Sequence, residues 1–280
     1  MAAKKAAAPK QSAVVKKASV KGARVKTDSG NKKDSGGTET AALVTEAAAQ
    51  LRDAVDRLRF EPQVPWVYNP LHYAWAAHEQ YIARYARPTC EVLFLGMNPG
   101  PWGMAQTGVP FGQIAAVRDW LNIDADIEKP RREHPKRPIE GLACERSEVS
   151  GERLWGLFQA RFGSPDRFFE RHFVANYCPL VFMEESARNL TPDKLPRSLA
   201  EPLEAVCDAH LAALCQALRP QWIIGVGAFA EACGERVVQS CGGLREVQVG
   251  RILHPSPASP AANRDWAGTA SKQLEALGIW

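Results

Sequence analysis

Three polar side chains stand out in this sequence because each ends or follows an expected strand. Asn98 comes two residues after Gly96, which closes Val92-Leu93-Phe94-Leu95. Asn176 ends Phe173-Val174-Ala175, and His254 follows Val247–Leu253. If those runs are parallel strands, their carboxyl ends lie together and three groups distant in the chain converge on one crevice. An amide offers a donor and an acceptor in fixed geometry and cannot serve as a base at neutral pH. Histidine is the side chain whose charge can change there. Taken singly, each has a structural alternative: Asn98 bonding its own turn, Asn176 capping a strand, and His254 satisfied in front of a proline. Their convergence on one rim is what favours a site.

The loop after Gly96 strengthens that reading. Over Met97–Gly112 it holds four glycines and three prolines, with Asn98, Gln106, Met97, Met104, Trp102 and Phe111 among them. A strand that runs into Gly and Pro must stop. The stiffness of this loop exceeds what a plain connector needs, and a polar start with an aromatic end suits a flat ligand clamped between backbone and ring.

Stepping from these residues to the elements that carry them, the apolar periodicity predicts a helix over 41–60 through Leu43, Val44, Ala47, Leu51, Val55 and Leu58, with Thr40 as its N-cap. A Pro-rich turn fills 61–72, and an aromatic-rich helix runs over 73–85. Helices are also expected over 114–121, 154–162, 198–218, 228–238 and from Asn263, as cap, to 277. Ser198-Leu199-Ala200-Glu201 reads as a capping box. Strands are expected at 91–95, 173–177, 222–226 and 247–253, and residues 124–151, broken by Pro130, Pro135 and Pro138, as an excursion. Strands separated by helices imply a single α/β domain over 41–280. Its centre is a mainly parallel four-stranded sheet with helices on both faces.

Residues 1–40 differ. Of the chain's 35 Lys and Arg, ten fall in 1–33, against Asp28 as the one acid there, so the remainder of the chain carries a net charge of about −5. Without an apolar period this segment is expected to be a disordered basic tail. Arms of this kind attract polyanions, most often nucleic acid, and Lys4, Lys5, Lys16 and Lys17 are candidate DNA contacts. A solvated or cloning-derived segment is the alternative. Neither a membrane span nor a secretory signal is visible, and the Ala/Lys-rich start resembles an organellar transit peptide only weakly. Seven cysteines without a CxxC read as reduced, mostly buried thiols ahead of a metal site.

The familiar catalytic patterns GxxxxGK[ST], GxSxG and HExxH are absent, and no paired carboxylates stand out. Gly225-Val226-Gly227-Ala228-Phe229-Ala230 outlines a dinucleotide fingerprint, with Glu246 downstream, but it follows the third strand instead of the first, and small residues there also serve helix–sheet packing.

The loop Gly96-Met97-Asn98-Pro99-Gly100-Pro101 with Gln106-Thr107-Gly108-Val109-Pro110-Phe111-Gly112 resembles the first motif of the single-strand-selective monofunctional uracil-DNA glycosylases. His254-Pro255-Ser256-Pro257 resembles the second motif of the uracil-DNA glycosylase superfamily. Val67-Tyr68-Asn69-Pro70-Leu71, His134-Pro135-Lys136-Arg137-Pro138, Ser147-Glu148-Val149-Ser150-Gly151 and Val174-Ala175-Asn176-Tyr177-Cys178-Pro179-Leu180 are similar to that family too. The likeness covers roughly residues 58–280, and several ordered motifs are more specific than any one.

The resemblance implies hydrolysis of the N-glycosidic bond of uracil, and of 5-hydroxymethyluracil-type bases, in single- and double-stranded DNA, leaving an abasic site for base-excision repair without strand cleavage. It implies that the base is flipped out, stacked on Phe111 and read by Asn176, with Met97, Gly100 and Met104 also lining its pocket. Asn98 would position the attacking water and His254 would donate to the base. Pro255, Ser256, Pro257, Ala258 and Ser259 would form a DNA-contacting loop. Where the family pattern carries an arginine to fill the hole left by the flipped base, this chain has Ala258, which puts duplex invasion in doubt. No cofactor or metal is implied. A monomer is expected, in a bacterial cytoplasm at the nucleoid or in a nucleus. The rivals are another base specificity on this fold (hypoxanthine, xanthine or mismatched thymine) and a catalytically weak DNA-binding module.

Overall fold

The computed structural model describes residues 35–280. The first helix, α1 (Ser35–Val55), begins ahead of the expected Ala41, so Thr40 lies buried inside it and is no cap. Its apolar stripe packs Val44, Ala47, Ala48, Leu51 and Val55 inward, while Leu43, expected on that stripe, is exposed. The 61–72 segment is more ordered than a turn. It contains β1 (Trp66–Tyr68) and α2 (Pro70–Tyr73), whose cap Asn69 accepts from the Leu71 amide. There follow α3 (Trp75–Tyr85), β2 (Val92–Gly96), a short α4 (Met104–Thr107) and a π-type turn over Ala116–Trp120.

The second half runs α5 (Val149–Phe162), α6 (Pro165–Phe169), β3 (His172–Asn176), β4 (Val181–Met183), β5 (Asn189–Leu190), α7 (Arg197–Leu218), β6 (Trp222–Val226), α8 (Ala228–Ser240), β7 (Gln248–Ile252) and α9 (Pro260–Ala276). The central sheet has the order β3-β2-β6-β7 and every pairing is parallel, as expected. Every residue of β2 and β3 is buried, which a parallel strand achieves only when both faces are covered. The sequence reading missed the second sheet, in which β4 pairs antiparallel with β1 and β5. Strands of two and three residues are too short to show a period.

Two caps also differ. Ser198 lies inside α7 and makes no cap bond, while Arg197 pairs with Glu201 along the helix. Ser259, not Asn263, caps α9 by accepting from the Ala262 amide. The core beside β2 is aromatic: Phe94, Trp155, Phe158, Phe168 and Phe169 are all fully buried. Phe158 and Phe168 stack at 4.2 Å between centroids, a contact worth about 1 kcal/mol beyond its area. Six of the seven cysteines are buried, as expected for structural thiols.

Candidate active site

The register of the central sheet brings the three polar groups together. Gly96, the last residue of β2, lies opposite Asn176, the last of β3, and Val226 lies opposite Ile252 at the ends of β6 and β7. Asn98 and His254 each follow their strand by two residues, so all three groups stand at the carboxyl edge. Met97, Asn98, Gly100, Met104, Phe111, Asn176, His254 and Ser256, all expected at the site, line one cleft of about 310 Å³.

Strand pairing continues past the strand ends. The Tyr177 amide donates to Gly96 O at 2.8 Å and the Cys178 amide to Met97 O at 2.9 Å, fixing the start of the loop. Beneath it, the Tyr177 hydroxyl donates to Asp208, and Arg236 donates to both. Asn98 Nδ2 donates to the Leu180 carbonyl at 3.1 Å. That bond sets the amide's orientation and leaves Oδ1 as an acceptor. Asn176 turns Nδ2 to the Met104 sulfur at 3.2 Å, a weak partner that a stronger acceptor would displace.

Phe111 adopts φ +53°, the left-handed region that is uncommon for a bulky residue. This conformation lays the ring over Gly96, with Cε2 2.5 Å and Cζ 2.7 Å from the position a Cβ would take, and Asn176 Oδ1 closes on the same point. A side chain at 96 would overlap both groups. Strain at one residue and a gap at another thus build the wall on which a flat base can stack.

His254 and His134 both precede proline, and both accept at Nδ1 from the amide two residues on, Ser256 at 3.1 Å and Lys136 at 3.0 Å. His134 spends Nε2 on the Glu185 carbonyl at 3.2 Å. His254 Nε2 has no protein partner among the described residues, and burial holds the ring below the usual imidazole range. A neutral ring accepting at Nδ1 carries its proton on Nε2, so His254 offers one unused N–H donor in the cleft.

Glu148, Ser150, Asn189 and Thr191 also line the cleft and were missed as site residues. Glu148 and Ser150 belong to a motif quoted only for its resemblance. Asn189 and Thr191 lie in or beside a two-residue strand that has no sequence signal. Burial pushes the Glu148 carboxyl up, against the nearby Ser150 and Trp102 amides, which favour its ionised form. Its side chain lies against the backbone of Gly100.

The expected DNA-contact loop divides. Pro257 and Ala258 are exposed, Pro255 is buried, and Ser259 spends its hydroxyl on the α9 cap. Lys4, Lys5, Lys16 and Lys17 lie outside the described residues. The glycines of the Gly225–Ala230 stretch have steric tasks: a Cβ at Gly225 would run into the α8 backbone at Glu231, and one at Gly227 would stand 3.2 Å from His254 Cβ.

A family model described as the Uracil DNA glycosylase superfamily matches residues 83–275. The chain belongs to the uracil-DNA glycosylase superfamily. Within it, the chain belongs to the single-strand-selective monofunctional family. It is 48% identical over 230 residues to the single-strand selective monofunctional uracil DNA glycosylase of Bos taurus, covering 82% of this chain and 84% of that protein. It is 48% identical over 235 residues to the Rattus norvegicus protein of the same description, covering 84% of each. Its fold is similar to the crystal structure of Pedobacter heparinus SMUG2, with a TM-score of 0.59, 14% identity, 83% of this chain and 97% of that chain covered. The sheet and its surrounding helices are those of a uracil-DNA glycosylase fold.

Proposed function

We propose that this protein is a monofunctional uracil-DNA glycosylase that hydrolyses the bond between uracil and deoxyribose and leaves an abasic site. The observation that carries this reading is the pairing of two unused groups in one cleft: the Asn98 Oδ1 acceptor and the His254 Nε2 donor. The C1′–N1 bond breaks with both electrons leaving on uracil, whose charge spreads to O2. Water adds hydroxyl to C1′, and its proton balances the uracil anion. His254 donates to O2 as the charge develops, and one such donor lowers the barrier by roughly 3 kcal/mol. Asn98 accepts from the water and holds it in line with C1′.

Phe111 stacks the flipped base and Asn176 reads it, donating to O4 and accepting from N3–H. Cytosine presents the reverse pattern and would leave both atoms of the amide unpaired, a mismatch of about 1–3 kcal/mol for each buried group. The wall at Gly100 carries no side chain and is backed by the Glu148 carboxyl, a polar neighbour for a 5-hydroxymethyl group, so such bases are substrates in this reading.

The partner is DNA, single- or double-stranded. Arg137 and Arg146 lie over the Trp102 ring at 4.9 and 4.4 Å, and neither pairs with a carboxylate among the described residues. Two free guanidiniums on an indole beside the first-motif loop suit a phosphate backbone. The enzyme acts as a monomer in this account, in whichever compartment holds the DNA it repairs. The test is base release from matched oligonucleotides carrying one uracil, one 5-hydroxymethyluracil or one hypoxanthine. Free uracil with an alkali-labile but otherwise intact strand is expected. Release of hypoxanthine alone would move the reading to another base specificity.

A further inference from the structure

The start of α5 touches two of the loops that carry the site, the first-motif loop and the loop after β7. Glu148, its N-cap, lies against Gly100 in the first-motif loop. Gly151 lets the Phe111 backbone lie flush on the helix: a Cβ there would overlap the Phe111 carbonyl oxygen and stand 3.0 Å from its carbon. Two residues on, Arg153 reaches the other side of the cleft. Its Nη1 donates to the Pro255 carbonyl at 3.0 Å and its Nη2 to Asn263 Oδ1 at 2.9 Å, while Asn263 Nδ2 donates to the Pro257 carbonyl at 2.8 Å.

The loop from Pro255 to Ser259 has little else to hold it. Two of its five residues are prolines, which donate no N–H. Its other hydrogen bonds are internal or lead into α9: Ser256 N to His254 Nδ1, Ala258 N to Ser256 Oγ, and Ser259 N to Ser256 O. Among the described residues, Arg153 makes the one hydrogen bond that ties this backbone to an element outside the loop and its following helix. Arg153 has no carboxylate partner there to draw it away.

We propose that Arg153 is a positioning residue for His254. It carries no chemistry itself. By fixing Pro255, the residue after His254, to the helix that also seats Gly100 and Phe111, it sets the distance between the donor to the base and the loop that holds water and ring. The inference rests on the glycosylase reading of His254.

The experiment is single-turnover uracil release with wild type, Arg153→Ala, Arg153→Lys, His254→Ala and the Arg153→Ala/His254→Ala double variant, with DNA affinity measured at several salt concentrations. A small displacement of a reacting group can lower a rate by about 10²-fold, so Arg153→Ala is expected to lose roughly 10- to 100-fold. DNA affinity and its salt dependence should be unchanged. Lysine can bond Pro255 O but cannot span both partners, so it should restore part of the rate. In the His254→Ala background, loss of Arg153 should cost no more than about twofold, because two residues acting through one group are not additive. Wild-type rates for Arg153→Ala, or losses that multiply in the double variant, would overturn the proposal. So would a weaker affinity with a shallower salt slope, which would make Arg153 a phosphate contact. If Arg153→Ala does not fold, Asn263→Ala carries the same test: a smaller loss that vanishes without His254. A wild type that releases no uracil would count against the glycosylase reading first, whereas an active wild type with an indifferent Arg153 would count against this inference alone.

Discussion

The ring of Phe111 and the amide of Asn176 meet over the missing side chain of Gly96. Ring atom Cε2 lies 2.5 Å from where a Cβ would stand, and Asn176 Oδ1 approaches the same point from β3. In the proposed reading, the stacking surface and the reading edge of the pocket are therefore both set by one empty position on β2. Its strand partner in the ladder is Asn176 itself.

Gly96→Ala should consequently disable the enzyme while leaving it folded. The methyl must push aside ring, amide or both, and overpacking of this kind costs about 1–3 kcal/mol of stability. Displacing the recognition groups by about an ångström should lower uracil release by about 10²-fold. Melting temperature and single-turnover rate, measured on one preparation, check this: a modest fall in the first with a collapse in the second is expected.

Gly227→Ala should act on the other catalytic group. Gly227 has φ +98°, unfavourable for an L side chain, and a Cβ there would stand 3.2 Å from His254 Cβ and 3.3 Å from Cδ2. Release should slow while affinity for an abasic-site oligonucleotide holds. An unchanged rate would show that His254 tolerates movement and would weaken its assigned role.

Much of this site was legible in the sequence. Asn98 and Asn176 each follow a run of apolar residues, His254 follows a strand of mixed composition, and parallel strands then force all three to one edge. The four core strands and the Leu203–Leu218 helix face were readable because they bury continuous or periodic apolar surface. Glu148 and Arg153 were not, because nothing local marks a charged residue at a helix start as reaching into a loop distant in the chain, at Gly100 for one and at Pro255 for the other. Gln106 shows the same limit. Its amide donates to the Pro101 and Pro138 carbonyls and accepts from the Glu140 and Gly141 amides, stapling the 124–151 segment to the first-motif loop. A stretch that read as an excursion is thereby part of the site's frame.

Acid should destabilise the fold through buried histidines that take no part in the proposed chemistry, His78 and His172 among them. His78 and His172 are buried and donate Nδ1–H to the Gly108 and Phe168 carbonyls, and burial lowers each ring from the ordinary 6.5 to about 4. The folded pKa lies below the unfolded one, so between about 4 and 6.5 the unfolded chain binds more protons and stability rises with pH across that window. Urea midpoints at pH 7, 5.5 and 4.5 should fall in that order. His172→Asn or His78→Asn, although less stable at pH 7, should flatten the dependence; an equally steep fall in both would contradict the assignment.

Binding should depend on salt through cationic side chains in two parts of the chain. Arg137→Gln and Arg146→Gln should each reduce the slope of log affinity against log salt by about 0.7–0.9, as expected for one phosphate contact. Deleting residues 1–34, which hold ten cationic side chains, should weaken DNA binding further at low salt and matter little at high salt. With alanine at 258 exposing only a methyl group at the loop tip, these cations would supply attraction that the loop does not. Titrations at 50 and 200 mM salt separate the contributions, and slopes unmoved by all three changes would remove this surface from the DNA interface.

The most direct test of the account is the rate of uracil release under single-turnover conditions by Asn98→Ala and His254→Ala beside wild type. Each removes one of the two unused groups in the cleft and leaves the Phe111–Asn176 wall in place. The account predicts losses of about 10²-fold or more in each, with binding to uracil-containing DNA retained. Wild-type rates in both variants would contradict it, because the chemistry would then belong to other residues.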